Sequence, residues 1–278
     1  MPPLRLPSGP GAAPVGVLAN PIGECEPQLR QIEAWARQFG LDVVDLGTSA
    51  APRPPETACD LIVALGGDGT ILRALQLAME HHAAVLGVNF GTVGFLADID
   101  GDELASALDR IAAGAAQVEE RTALVAEIDG GDAGRLVAFN DVVVARRPGF
   151  GTARLHLTVA DRPLLRLNGD GLVIASPTGS TAYNVGAGGP AVEPSLHAIV
   201  LTPLATQGSP LRSLVIEGSE VVRVEVDPAS APLRVEIDGR IVHDVPDGAG
   251  LAVCAAPRKA RLVRTQPRTF YDDLSRRV

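Results

Sequence analysis

Residues 60–74 read DLIVALGGDGTILRA, and this stretch decides the fold of the first part of the chain. An apolar run breaks into three glycines and one aspartate, and apolar residues then resume at helical spacing. This pattern is typical of a buried strand that turns into a helix. Glycines permit close approach to an anion, and the start of a helix directs its free N–H groups at that anion. The stretch therefore predicts a turn that binds phosphate.

Asp68 stands inside this turn. A carboxylate repels a neighbouring phosphate unless a cation intervenes or a proton must be removed. Both exceptions indicate phosphoryl transfer, because the carboxylate can accept the proton of an attacking hydroxyl while Mg²⁺ offsets the polyphosphate charge. Arg73, one turn into the helix, is placed to contact a phosphate. The motif alone also fits a tight turn with an aspartate cap, and it is not a P-loop because no Gly-Lys-Ser/Thr follows.

The sequence around the turn alternates strands with helices. Strands are predicted at residues 15–20, 41–47, 61–65 and 83–91, and helices at residues 26–39, 71–79 and 102–111. Such an alternation favours a doubly wound parallel sheet, whose ligands bind at the carboxyl ends of the strands. The glycine turn is predicted at one of these ends.

Beyond about residue 115, short runs rich in Val, Ile and Leu are separated by turn residues, and the links DGGDAG (129–134), ADRP (160–163) and DGR (238–240) predict hairpins. We therefore predict a Rossmann-like α/β N-terminal domain, with a parallel sheet and flanking helices, plus an all-β C-terminal domain built as a β-sandwich or as stacked sheets. The predicted divisions are a mobile tail at 1–14, the α/β domain at 15–116, the all-β domain at 117–262 and a C-terminal tail at 263–278 that returns to the α/β domain.

Composition restricts the classes of partner. The chain has 278 residues, of which 46% are hydrophobic, and a formal net charge of −9. This acidic balance argues against nucleic acid or an anionic membrane as partner. The three cysteines fit neither a disulfide framework nor a zinc pattern, and we expect no metal held by the protein alone. With no signal peptide and no long apolar run, the prediction is a cytoplasmic protein.

Two further stretches carry polar groups in apolar surroundings. In AFNDVVVARR, residues 138–147, Asn140 and Asp141 stand at a kink in an otherwise apolar strand and form either a bulge or a polar pair that faces a ligand. Residues 168–190 read NGDGLVIASPTGSTAYNVGAGGP. Their hydroxyls and bare backbone N–H groups suit the ribose and phosphates of a nucleotide, and Tyr183 can pack on a flat ring. The alternative for this stretch is a flexible surface loop.

Together, in this order and at these separations, GGDGT (66–70), Asn140-Asp141 and DGLVIASPTGSTAYNVGAGGP (170–190) resemble the signatures of the NAD kinase family. GVNFGTVGFLAD (87–98) is similar to that family's G-x-x-G-F-L element. The resemblance implies ATP-dependent phosphorylation of NAD at the 2′-hydroxyl of its adenosine ribose, which produces NADP. It also implies Mg²⁺ bound together with ATP, and a homodimer or homotetramer.

Carried over by position, the resemblance makes Asp68 the catalytic residue, which accepts the proton of that hydroxyl and contacts NAD. It assigns Gly66, Gly67 and Thr70 to ATP. The other residues that it assigns to NAD are Gly69, Arg73, Phe95, Asn140, Asp141, Arg154, Asp170, Thr181, Ala182, Tyr183, Asn184, Val185, Gly186 and Arg240.

The chain departs from the family pattern at three places. Gly186 stands where many members carry a serine, residues 202–216 lack a proline and a histidine of the corresponding family stretch, and Asn168 is neutral where some members are basic. Two other functions stay open. A lipid kinase of the diacylglycerol type shares the glycine turn but needs an apolar acyl pocket or a membrane-facing surface. A non-catalytic dinucleotide sensor would have no use for Asp68.

Overall fold

The chain folds into two compact units. The computed structural model describes residues 1–6, 11–21, 25–91, 94–130, 134–207, 211–245 and 248–275. One unit consists of Met1–Arg121 together with Ala260–Val278, and the other of Thr122–Lys259. Each unit has its own hydrophobic core. None of the helices in the described part of the chain has the length and the apolar composition of a membrane-spanning helix.

Helices occur mainly in the first unit, whereas strands occur in both. The helices are α1 (Glu26–Gln38), α2 (Asp68–His81), α3 (Leu104–Ala112), α4 (Tyr183–Gly186) and α5 (Phe270–Ser275), with 3-10 helices at Gly101–Glu103 and Gly179–Thr181. The strands are β1 (Val15–Ala19), β2 (Val43–Thr48), β3 (Ala51–Pro52), β4 (Leu61–Leu65), β5 (Ala84–Asn89), β6 (Ile99–Asp100), β7 (Gln117–Arg121), β8 (Leu124–Ile128), β9 (Arg135–Ala138), β10 (Asp141–Arg146), β11 (Ala153–Val159), β12 (Arg162–Gly169), β13 (Gly171–Ala175), β14 (Ala198–Leu204), β15 (Leu214–Glu217), β16 (Val222–Val226), β17 (Leu233–Ile237), β18 (Arg240–Val245), β19 (Gly250–Ala255) and β20 (Ala260–Arg264).

The first unit is a mixed sheet with helices on both faces. Its strand order is β3-β2-β1-β4-β5-β20-β7, with β6 beside β5. The strands from β2 to β20 in this order run parallel, and the outer strands β3 and β7 are antiparallel to their neighbours. The core between the sheet and helices α1 and α3 lies on one face, and α2 packs against β1, β4, β5 and β20. The predicted Rossmann-like α/β unit is confirmed.

Helix α2 lies close to the sheet because a glycine faces it. A Cβ added to Gly87, in the middle of β5, would come within 2.5 Å of Cδ1 of Ile71. All five residues of the neighbouring strand β4 are buried, as expected of a parallel strand that is covered on both faces. This packing sets the position of the first turn of α2, where Asp68 lies.

The second unit contains two six-stranded sheets. Their orders are β15-β14-β13-β10-β17-β18 and β12-β11-β16-β19-β8-β9, and neighbouring strands run antiparallel. Residues from both sheets form one core. The first of these sheets is also covered on its other face, where Val143, Val173 and Val200 cluster with Val192. The predicted all-β unit is confirmed, and burial on two faces explains why its central strands read as continuous apolar runs.

Two predicted hairpins are confirmed. Strands β11 and β12 are joined by Ala160 and Asp161, with φ of 50° and 56°. Strands β17 and β18 are joined by Asp238 and Gly239, with φ of 48° and 76°. Two successive residues with positive φ form the type of turn that matches the twist of the flanking strands. A third predicted turn, at residues 129–134, includes 131–133, which lie outside the described residues.

One predicted strand is two strands in the structure. The apolar run around Asn140 was expected to be a single kinked strand, but β9 and β10 belong to different sheets. The chain changes sheets at Phe139 and Asn140. An uninterrupted apolar run does not reveal this change, because both strands are flanked by the same core.

Described residues near both ends of the chain belong to the first unit. Part of the N-terminal segment, predicted as a mobile tail, contacts β7: Pro3 forms a bridge with Gln117, and the N–H of Leu4 donates to Ala116 O at 2.8 Å. The side chain of Leu4 joins the core and only 1% of the residue is exposed. At the other end the sequence places the return of the chain at residue 263, whereas the compact unit resumes at Ala260.

We expect Leu4→Ala to lower the free energy of unfolding of the first unit by about 2 kcal/mol or more, since it empties buried volume. Arg5→Ala is the matched control, because Arg5 is exposed in the same segment and should change stability by no more than about 0.5 kcal/mol. Urea unfolding followed by the fluorescence of Trp35, the single tryptophan of the sequence, reports on this unit. Equal effects of the two substitutions would show that the segment does not contribute to the core.

Candidate functional site

The glycine turn lies between β4 and α2, at the carboxyl edge of the parallel strands. The N–H of Gly66 donates to Val88 O at 2.9 Å, which ties the turn to β5. A Cβ at Gly66 would meet Thr70 Oγ1 at 2.5 Å, whereas a Cβ at Gly67 or Gly69 would meet nothing within 4 Å. The outer side of the turn is therefore open. The N–H groups of Asp68 and Gly69, the first two residues of α2, precede the first hydrogen bond of the helix.

The Asp68 carboxylate is oriented by the backbone of a distant segment. Its Oδ2 accepts the N–H of Phe95 at 2.9 Å, and its Oδ1 accepts the N–H of Leu96 at 3.2 Å. A Cβ at Gly94 would lie 1.7 Å from Asp68 Oδ1, so only glycine fits at that position. A carboxylate has about four acceptor sites, so both oxygens keep the capacity to accept a further hydrogen. Asp68 is thus not a cap of its own helix.

Two other predicted residues of the first unit follow Asp68 along α2. Thr70 is buried, and its N–H donates to Gly67 O at 2.8 Å, which closes the first turn of the helix. Arg73 is half-buried one turn later, where its Nη1 donates to Gln76 Oε1 at 2.5 Å. Of the predicted element at 87–98, residues 92 and 93 lie outside the described residues.

In the second unit, Asp238 fixes the backbone at Asn140 and Asp141. Its Oδ1 accepts the N–H of Asn140 at 2.7 Å and that of Asp141 at 3.3 Å, and also that of Phe139 at 3.0 Å. Asp141 is 2% exposed. Burial, and then the neighbouring carboxylates of Asp238 and Glu236, raise the pKa of Asp141 from an ordinary value of 3.8 to about 7.

The loop after β13 is fastened to this backbone. The N–H of Ser176 donates to Asn140 O at 2.9 Å, and the Ser176 hydroxyl donates to Phe139 O. A Cβ at Gly179 would lie 1.9 Å from Asn140 O, so this contact also requires glycine. Residues 171–180 are all buried. The alternative of a flexible surface loop does not describe this part of the stretch.

The side chain of Asn184 forms hydrogen bonds in the interior of the second unit. It is fully buried, its Nδ2 donates to Ser180 O at 3.0 Å and to Pro190 O at 2.9 Å, and its Oδ1 accepts the hydroxyl of Thr202 at 2.6 Å. The amide therefore holds the loop closed. The contact between NAD and Asn184 that the resemblance implies stays a prediction.

Three predicted residues line one cavity in the second unit. Asp170, Tyr183 and Gly186 meet around a volume of about 530 Å³. Tyr183 and Val185 are each 49% exposed, so their apolar surfaces are open to a ligand. The cavity also includes Arg146, whose Nε donates to Asp170 Oδ1 at 2.6 Å.

Sequence reasoning missed Arg146, although a signal was present. Arg146 is the last residue of β10, the strand that begins at Asp141. A charged residue at the end of an apolar strand is a candidate site residue, because it places a guanidinium group at the edge of the sheet. Its place beside Asp170 is set by strand pairing, which puts Ala145 opposite Gly171. Gly94, Ser176 and Asp238 were also not predicted as site residues.

Other predicted residues lie elsewhere. Arg154 is exposed on β11, in the sheet that does not carry the cavity lining, and its N–H donates to the Ser230 hydroxyl at 3.0 Å. Arg240 is exposed and begins β18, directly after the Asp238-Gly239 turn. Thr181, whose hydroxyl donates to Thr178 O at 3.4 Å, and Ala182 precede α4. Of the predicted departure at 202–216, residues 208–210 lie outside the described residues.

Comparison with known protein families finds matches over both units. The profile of the ATP-NAD kinase N-terminal domain matches residues 19–116, and that of the ATP-NAD kinase C-terminal domain matches residues 139–265. An NAD kinase of Heliobacterium modesticaldum is 41% identical over 214 residues, which cover 76% of each chain. An NAD kinase of Chloroflexus aggregans is 34% identical over 270 residues, which cover 95% of this chain and 98% of that one.

Solved structures show the same fold. A yeast NADH kinase in complex with NADH has a TM-score of 0.82 at 22% identity, over 98% of this chain and 87% of that one. An NAD kinase of Archaeoglobus fulgidus in complex with ATP has a TM-score of 0.71 at 23% identity, over 91% and 93% of the two chains.

Asp141→Asn should change how stability depends on pH. Because folding raises the pKa of Asp141, the folded chain keeps this proton between about pH 4 and about pH 7 while the unfolded chain releases it. This carboxyl group therefore lowers the free energy of unfolding as pH rises through that range. An amide does not ionise. As pH rises, the free energy of unfolding of the variant should therefore increase relative to that of the wild type, by up to ~1.4 kcal/mol for each unit of the pKa shift.

Urea unfolding followed by circular dichroism at about pH 5 and about pH 8 measures this gain. Asp161→Asn, at an exposed carboxylate of the same unit, is the control and should show no such trend. A gain for Asp141→Asn that is the same at both pH values would contradict the raised pKa.

Proposed function

We propose, from the premise that the chain belongs to the NAD kinase family, that Asp68 accepts the proton of the hydroxyl that attacks ATP. The activity of the family is the ATP-dependent phosphorylation of NAD at the 2′-hydroxyl of its adenosine ribose. The profiles and relatives extend over both units, and this is therefore the activity of the chain.

The observation that carries the role of Asp68 is the way its carboxylate is held. Both oxygens are directed by backbone N–H groups, and the residue stands in the glycine turn, beside N–H groups suited to phosphate. A general base must be preorganised within hydrogen-bond reach of the proton that it removes. Backbone N–H groups provide this orientation, and they have no side-chain torsions that would change it.

The chemistry then balances as follows. The 2′-oxygen of NAD forms a bond to the γ-phosphorus of ATP, the bond from that phosphorus to the β–γ bridging oxygen breaks, and ADP leaves. The proton of the 2′-hydroxyl passes to Asp68, which later releases it to solvent. Positioning and electrostatic stabilisation supply most of the rate in such transfers.

In the first unit, the glycine turn would hold the phosphates of ATP. Gly66, Gly67 and Thr70 belong to the turn, and the side of the turn at Gly67 and Gly69 is open. The start of α2, a helix of 14 residues, favours negative charge through its dipole and its free N–H groups. Arg73 and Phe95 flank this turn on α2 and on the segment that contacts Asp68.

In the second unit, the backbone held by Asp238 and the loop around α4 would bind NAD. Asn140 and Asp141 offer an amide and a carboxyl group to ribose hydroxyls. Tyr183 and Val185 offer exposed apolar surface to a flat ring. Asp170 contributes to the same cavity, with Arg146 as its partner. The assignments of Thr181, Ala182, Gly186, Arg154 and Arg240 to NAD rest on the resemblance.

Mg²⁺ would enter together with ATP. Within the described part of the chain, no group of three or more His, Cys, Asp or Glu side chains is placed to hold a metal ion. Mg²⁺ does not need such a group, because it commonly binds substrate phosphates, water and at most one or two protein carboxylates. When bound, the ion offsets the charge of the phosphates.

We further propose a homodimer or homotetramer that works in the cytoplasm, on the basis of the resemblance and the composition.

The two alternative functions have less support. A lipid kinase would require an apolar acyl pocket, and the cavity at Asp170 and Arg146 carries an ion pair instead. A dinucleotide sensor would not require a carboxylate oriented beside a phosphate site, because the repulsion would weaken binding.

Asp68→Asn should lower kcat by between about 10²- and 10⁴-fold while NAD binding is largely kept, because the amide cannot accept the proton. The formation of NADP from NAD, ATP and Mg²⁺ gives kcat, and calorimetry gives the affinity for NAD. If binding falls in parallel with the rate, Asp68 is a binding residue. If the wild-type protein forms no NADP at any ATP concentration, the kinase reading itself fails.

Gly94→Ala should lower turnover by about 10²-fold without a comparable loss of stability, because the added methyl group would displace the Asp68 carboxylate. Gly91→Ala is the matched control in the same segment, since its Cβ would meet nothing within 4 Å. Turnover and melting temperature of both variants decide the question. Equal turnover in the two would show that the orientation of Asp68 does not limit the rate.

A further inference from the structure

Arg264 lies behind the segment that holds Asp68. It ends β20, and only 5% of its side chain is exposed. Its Nη1 donates to Leu96 O at 3.3 Å and to Ala97 O at 3.4 Å, and its Nη2 donates to Phe95 O at 3.5 Å. One guanidinium group thus contacts three consecutive carbonyl groups.

The same segment contacts Asp68 through its N–H groups. The carbonyl of Phe95 and the N–H of Leu96 belong to one peptide unit, so a continuous chain of hydrogen bonds runs from Arg264 through this peptide to Asp68. A cation at the carbonyl side polarises a peptide and strengthens the hydrogen bond that its N–H group donates. These hydrogen bonds connect the buried guanidinium group of Arg264 to the carboxylate of Asp68.

Arg264 is itself held rigidly. Its Nε donates to Glu119 Oε2 at 2.7 Å, and Oε1 of the same carboxylate pairs with Arg121 Nη2 at 2.8 Å. Burial opposes the charge on Glu119, but the two guanidinium groups outweigh it and lower the pKa of that carboxyl. Glu119 therefore stays ionised and keeps Arg264 in place.

The residue after Arg264 holds the far end of the segment. The N–H and the hydroxyl of Thr265 both donate to Asp98 Oδ2, at 2.8 and 2.6 Å. The N–H of Asp98 donates in turn to Gly87 O at 3.0 Å, which attaches the segment to β5. The C-terminal return of the chain and the parallel sheet together restrain residues 95–98.

We propose that Arg264 is a positioning residue for Asp68, which it orients through the backbone of residues 95–97. The inference rests on the proposed role of Asp68 as proton acceptor. Lysine cannot replace arginine here, because its single ammonium group does not present a planar fork of donors to several carbonyl groups. The charge would remain, but the orientation of the segment would be lost.

Arg264→Lys should lower kcat by between about 10- and 100-fold, while KM for NAD and for ATP changes by less than about threefold. Two variants of the same strand are controls. Arg261→Lys makes the same chemical change at a residue whose Nη1 donates to His82 O. Val263→Ala removes buried volume and calibrates the effect of lost stability. All are assayed below their melting temperatures, and both controls should retain kcat within about threefold.

A double-mutant cycle with Asp68→Asn distinguishes an effect of Arg264 on the orientation of Asp68 from a general loss of structure. If Arg264 acts through Asp68, Arg264→Lys should change the residual turnover of Asp68→Asn by less than about threefold. An equal loss in both backgrounds, or a loss in Arg264→Lys no greater than in Val263→Ala, would overturn the proposal. Wild-type turnover in Asp68→Asn would refute the proton acceptor itself, so the two failures are distinguishable.

If Arg264→Lys does not fold, the connection between Arg264 and Asp68 is tested by substituting Asp68 instead. Asp68→Asn should accelerate hydrogen exchange of the Phe95 and Leu96 amides and also shift the NMR signal of the Arg264 side-chain Nε–H group. A change confined to the two amides would count against a connection to Arg264.

Discussion

Two hydrogen bonds to one carboxylate constrain the candidate site of the first unit. The N–H groups of Phe95 and Leu96 orient Asp68, and they can approach because Gly94 has no side chain. The carboxylate also occupies the first turn of α2, whose distance from the sheet is set by Ile71 on Gly87. A group held by backbone donors is preorganised, so little energy is spent on reorientation during the reaction.

Buried polar groups serve a similar purpose in the second unit. Asp238 collects three backbone N–H groups at residues 139–141, and Asn184 closes the loop after β13 from inside. Breaking such a bond leaves a buried polar group unsatisfied, at a cost of about 1–3 kcal/mol. The loop is thereby shaped from within, and Tyr183 and Val185 remain exposed on its outer side.

Much of the fold was predictable, because its signals are local. The apolar run at residues 61–65, the helical spacing after Asp68 and the Asp238-Gly239 turn each follow from a few neighbouring residues. The change of sheet at Asn140 was not predictable in this way, since apolar strands precede and follow it. The inward orientation of the Asn184 side chain was not predictable either. A short polar residue in a glycine-rich loop can hydrogen-bond to the protein interior as well as to a ligand.

The sequence by itself determined the types of residue at the site, the turn and helix that carry Asp68, and the family to which the chain belongs. Only the tertiary structure decided which groups meet. Phe95 is 27 residues from Asp68, and Arg264 is 168 residues from Leu96. Contacts over such separations depend on the spatial order of the strands in the sheet. β20 lies beside β5 although the whole second unit separates the two strands in the sequence.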